Sequence, residues 1–127
     1  MPPQNRRADR VAEGIREEVA RFLTEGVKDP RIVGLVTVTG VDVTNDLRHA
    51  RVFVSIMGSD AERQRTLEGL ASVAAHLRPR VAKALRLRLA PEITFQVDQS
   101  IEHAARIETL LSRLREGQVP PDEDDLD

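Results

Sequence analysis

Residues 67–95, LEGLASVAAHLRPRVAKALRLRLAPEITF, decide how this chain folds. Their apolar members Leu67, Leu70, Ala74, Leu77, Val81, Ala84 and Leu85 recur at helical spacing and make one stripe over several turns. Pro79 interrupts the pattern. It has no N–H and its ring crowds the carbonyl four residues back, at about 3 kcal/mol in a helix interior. That cost largely vanishes if Pro79 lies in the first turn of a second helix, where an amide has little use for a helical partner. The stretch is therefore read as a kinked helix pair with its break near residues 74–76. Beyond it, Ile93, Phe95 and Val97 alternate with Thr94, Gln96 and Asp98, the period of a strand.

The same stretch holds the densest positive charge. On a helical wheel of its second half, Leu77, Val81, Ala84 and Leu85 fall on one side and His76, Arg80, Lys83 and Arg86 on the other. Residues 76–91 contain no acid, so Arg78, Arg80, Lys83, Arg86 and Arg88 are expected to raise a positive field with no internal neutralisation. Such a face is either a solvated helix surface or one that reads phosphates.

Working outward, Ala8, Val11, Ala12, Ile15, Val19, Phe22 and Leu23 predict an amphipathic helix over residues 6–25, stopped by Gly26. Arg6, Arg7 and Arg10 crowd its start, where cations oppose the helix dipole by about 0.3–1 kcal/mol each. They are second-rank candidates for an external anion, as are Lys28 and Arg31, which flank Asp29 in the Pro-centred connection VKDPRIVG. In residues 35–44, Val36 and Val38 alternate in one phase and Val41 and Val43 in the other. A slip at Gly40 predicts a β-bulge.

Asn45, Asp46 and Leu47 make a turn into a second strand over residues 50–57, expected to pair antiparallel with the first. Ser59 or Asp60 caps the helix that follows. The third strand returns by a helical crossover and is expected to lie parallel to a neighbour. Ile101, Ala104, Ala105, Ile107, Leu110, Leu111 and Leu114 mark a last helix, capped by Ser100. The fold class is α+β: helix, strand, strand, kinked helix pair, strand, helix, with helices on one face of a three-stranded sheet.

At 127 residues the chain suits one domain, assigned to residues 1–116. Residues 117–127, with Asp122, Glu123, Asp124, Asp125 and Asp127, are expected to form a disordered acidic tail. Setting those five aside from 21 acids leaves 16 against 19 bases, so a formal charge of −2 hides a mildly basic body. Only Lys28 and Lys83 among those bases are lysine, and arginine's planar fork suits phosphate. The aromatics are Phe22, Phe53 and Phe95, each in an apolar pattern and assigned to the core. That leaves backbone and shape contacts as the expected mode of RNA binding, in preference to base stacking.

With no cysteine there are no disulfides and no thiolate chemistry. His49, His76 and His103 lack metal-ligand spacing, so no metal and no cofactor are expected. No phosphate loop, dinucleotide fingerprint or nucleophile elbow occurs, and the serines fall on a strand, at caps or on helix surfaces. The chain is read as a binding protein, not an enzyme. With no apolar run long enough to span a bilayer and no signal-peptide pattern, it is expected to be cytoplasmic, away from membranes and monomeric.

Four segments in order carry a resemblance: RVAEGIREEVARFL (residues 10–23), VKDPRI (27–32), VTVTGVDVTNDLRHARVFVS (36–55) and LRPRVAKALRLRLAPEITFQVDQS (77–100). Together they make the chain similar to ribosome-binding factor A, a family of bacterial small-subunit assembly factors. The resemblance implies a KH-like fold of the second type that binds the 16S rRNA of the free 30S subunit. It also implies a role in late maturation and 5′-end processing, and an association with cold adaptation. In that family an interhelical kink with an Ala-x-Gly pattern replaces the G-x-x-G loop of ordinary KH modules. Val73, Ala74 and Ala75 occupy the corresponding positions here and match neither the alanine nor the glycine. Two other readings remain beside it: a protein-interaction module acting through the acidic tail, and a general KH-type single-strand RNA binder, which the missing G-x-x-G disfavours.

Overall fold

A computed structural model describes residues 6–26, 29–32 and 35–117. Helix α1 (Arg6–Glu25) leads into strands β1 (Leu35–Val43) and β2 (His49–Met57). Helix α2 (Asp60–Leu85), strand β3 (Glu92–Val97) and helix α3 (Gln99–Arg115) follow. The strands form one sheet in the order β1-β2-β3, with β2 antiparallel to β1 and parallel to β3. A short link can join only an antiparallel pair, whereas the α2 crossover carries the chain back to start β3 alongside β2.

The bulge expected at Gly40 is present. Val38 lies opposite Val54 and Gly40 opposite Phe53, so Thr39 is the inserted residue. Its insertion lets Val36, Val38, Val41 and Val43 share one sheet face, opposite Ile56, Val54, Val52 and Ala50. Onto that face α1 brings Val11, Ile15 and Val19, and α2 brings Leu70, Ala74, Leu77 and Val81. Ile15, Val19, Leu70, Leu77 and Val81 are fully buried, and each such side chain contributes about 1.5–3 kcal/mol by leaving water. Both helices thus cover the same face of the sheet.

Strand parity decides the phenylalanines. Phe95 is buried and Phe22 packs against the core from α1. Phe53 alternates with Val52 and Val54, so it points to the other face, half-buried, with the Arg51 guanidinium 5.7 Å from its ring centre. Its expected place in the core is corrected.

α2 is one continuous α-helix of 26 residues with Pro79 inside it, not two helices meeting at residues 74–76. Val73, Ala74, Leu77 and Val81 are buried, while Ala75 and Pro79 are exposed. The proline therefore sits on the solvent side, as does the residue whose carbonyl it cannot serve. Packing of the opposite stripe carries the helix through it. Ala84, expected in the buried stripe, is exposed as well.

The start of α2 is set by a capping box. Glu62 N–H donates to Ser59 Oγ at 3.1 Å, and Ser59 N–H donates to Glu62 Oε1 at 3.0 Å. At α3 the cap is Asp98, whose Oδ1 accepts from Ser100 N–H at 3.0 Å, so Ser100 lies inside the first turn instead of capping it. The chain divides into two compact units, one ending at Val97 and the other beginning at Asp98. Apart from Gly117, the expected acidic tail lies outside the described residues.

Candidate nucleic-acid interface

The end of α2 is built to stop sharply. Arg86, its C-cap, adopts a left-handed backbone (φ 54°, ψ 45°), and the Leu87 N–H donates to Ala82 O at 2.9 Å. Glycine is the usual residue in such a conformation, because a Cβ crowds the neighbouring carbonyl there. Leu87 then packs against the core, Pro91 is fully buried, and Glu92 N–H donates to Arg48 O at 2.8 Å. Arg78 reaches across from α2 and donates to Ala90 O at 3.1 Å. Between these anchors Arg86, Arg88 and Leu89 stand exposed.

Of the five cations expected on this face, Lys83, Arg86 and Arg88 are exposed and have no ion pair among the described residues. Arg78 is exposed and holds the loop by one N–H. Arg80 differs. Its Nε donates to Glu18 Oε2 at 3.1 Å, its two terminal nitrogens donate to Glu25 at 3.0 and 2.9 Å, and its guanidinium lies 5.6 Å from the Phe22 ring centre. The expectation of no neutralisation holds only within the run itself. The neutralising carboxylates come from α1, more than fifty residues earlier, and bind the guanidinium into a clamp between helices. Glu25 is held below its ordinary pKa by the hydrogen bond from Arg80, and Arg80 is held above its own by Glu25 and then Glu18.

The second-rank candidates divide. Arg31 is paired with Asp29 through Nε at 3.0 Å and a terminal nitrogen at 2.7 Å, and the turn they form lies against Gly69 of α2. A Cβ on Gly69 would stand 2.7 Å from Ile32 Cγ1. Lys28 lies outside the described residues. Arg6, Arg7 and Arg10 are exposed on the first turns of α1. Arg10 and Arg7, four and seven residues before Gly14, share its stripe, and Gly14 meets Leu85, to whose Cδ2 a Cβ would come within 2.4 Å. Arg7 and Arg10 thus lie on the turns of α1 that precede its contact with Leu85 at the end of α2.

Of the expected kink residues, Ala74 is buried in the core, Val73 is buried beside Phe22 and the turn at residues 29–30, and Ala75 and Pro79 face solvent along an unbroken helix. Two features escaped the sequence reading. Strand alternation alone would have placed Phe53 beside Arg51. No local signal pairs Arg80 with Glu18 and Glu25.

Among the described residues no helix is long and apolar enough to cross a membrane, and no three acids or histidines converge as a metal site. A mixed three-stranded sheet backed by α1 and a long crossover helix that ends in a basic turn defines a KH-like α+β protein. The chain belongs to the ribosome-binding factor A family, whose model matches residues 7–111. A relative of that name from Gemmatimonas aurantiaca is 64% identical over 111 residues, spanning 87% of this chain and 76% of the relative. A solution structure from Thermotoga maritima, provisionally described as a ribosome binding factor A, is 33% identical. It covers 76% of this chain and 91% of that one, with a TM-score of 0.62. The Thermus thermophilus factor, as fitted into a cryo-EM map of a 30S complex, shares the fold at 22% identity and a TM-score of 0.54, covering 73% and 92%.

Proposed function

We propose that this chain is a non-enzymatic assembly factor that binds the 16S rRNA of the free 30S subunit and promotes its late maturation, including 5′-end processing. It acts in the cytoplasm as a monomer and without a cofactor, and its contribution grows in the cold, where structured RNA rearranges slowly. The observation that carries the reading is the end of α2, where Lys83, Arg86 and Arg88 stand exposed and, among the described residues, unpaired with carboxylates, in a chain of a family named for ribosome binding. Cations so placed attract the RNA backbone without reading sequence. Arg78 joins them, and Arg7 and Arg10 widen the surface. Arg80 supports it from behind by fixing α2 on α1.

Sedimentation of cell extract tests the proposal. The protein is expected to travel with free small subunits and to be absent from translating ribosomes. Comigration with translating ribosomes, or with no ribosomal particle, overturns it.

A further inference from the structure

Single exposed leucines are ordinary on protein surfaces. Leu89 differs in three respects. It is 82% exposed, the most open of the large apolar side chains among the described residues. Its position is held by the structure: Arg78 grips the next residue's carbonyl, Leu87 is packed inward two residues before it, and Pro91 is buried two residues after. It also sits in a stretch of cations that have no ion pair among the described residues, with Arg86 and Arg88 on one side and no acid before Glu92. A loop tied down at both ends that still presents its leucine to water is arranged for a partner. Its surroundings select a polyanion.

We infer that Leu89 is an apolar wedge that packs against the face of an unstacked RNA base while Arg86 and Arg88 hold the flanking phosphates. The inference rests on the proposed function and deepens it by naming the contact that does not depend on charge. Phosphate contacts position a protein on RNA but do not touch its bases. An apolar side chain among them favours a site where a base is already free of its helix, because unstacking a paired base costs a few kcal/mol. Leu89 would therefore discriminate immature, locally open RNA from RNA already folded.

The test measures binding to purified free small subunits over a range of salt for the wild type, Leu89→Ala, Leu89→Phe and the double variant Arg86→Ala/Arg88→Ala. Leu89→Ala is expected to weaken binding about 5- to 30-fold at every salt, with the log–log salt slope unchanged. Leu89→Phe is expected to retain binding. The double variant is expected to make the slope shallower by about 1.4 to 1.8. Chemical probing of the rRNA in the same complexes should show at least one base protected by the wild type and by Leu89→Phe but not by Leu89→Ala. Leu89→Ala binding like the wild type overturns the inference and leaves the function standing, provided the double variant is weakened. Weakened Leu89→Ala binding with an unchanged base footprint also overturns it, because the leucine then contacts a ribosomal protein. Failure of the wild type to bind small subunits sinks the proposed function and the inference together.

Discussion

Arg80 of α2 and Glu25 of α1 face each other through paired hydrogen bonds of 2.9 and 3.0 Å, the fork of one matched to the carboxylate of the other. Glu18, largely buried, takes the remaining Nε–H. Arg80→Ala leaves Glu18 with Arg21 as its only cation among the described residues and is expected to lower the unfolding midpoint by roughly 5 °C. Adding Glu18→Gln removes the under-compensated charge and should recover part of the loss. A thermal melt of Arg80→Ala that superimposes on the wild type would show the clamp to be inert.

Arg86 is expected to trade stability for charge. Its left-handed backbone costs an L-residue about 1 kcal/mol relative to glycine, so Arg86→Gly should unfold at higher denaturant while binding small subunits more weakly. The two measurements must move in opposite directions. A glycine variant that is both less stable and fully competent to bind would contradict the assignment.

Gly69 is the point where the turn at residues 29–32 meets α2. Gly69→Ala adds helix propensity worth about 1 kcal/mol, yet drives a methyl into Ile32 and Arg31. Equilibrium unfolding is expected to show a net loss of about 1–2 kcal/mol. A net gain would mean that the turn yields freely.

Asp29 provides the acid sensitivity of that same turn. Hydrogen bonds from the Arg31 side chain and backbone N–H lower its pKa from 3.8 to about 2. A depressed folded-state value stabilises the fold fully above the ordinary carboxylate range and ceases to do so as pH falls through about 2. Asp29→Asn should therefore be less stable than the wild type at pH 6, with the gap narrowing between pH 4 and 2. Denaturant titrations at three pH values read this directly, and a gap constant with pH would remove Asp29 as its source.

Periodicity made the fold legible. The valines of β1, out of step at Gly40, announced the bulge, and apolar spacing gave α1 its bounds. Pro79 misled because local cost was weighed without the burial of Leu77 and Val81 on the far side of the same helix. The basic site was legible as charge but not as accessibility. Whether an arginine is free depends on carboxylates that only the fold brings near, which is why Arg80 and Lys83, three residues apart, have different surroundings. Arg86 was placed on a helix face, whereas it ends the helix.

The inserted residue in β1 works like a frameshift in side-chain space. Up to Val38 the even positions are inward, and from Val41 the odd ones are. Deleting Thr39 would shorten the strand without turning it over: Val38 and Gly40 already lie opposite Val54 and Phe53, so the ladder would close without the bulge and the four valines would keep their facing. A lost codon at that position should therefore be far less damaging than the loss of Thr37 or Asp42, either of which would turn at least one of these valines away from the core.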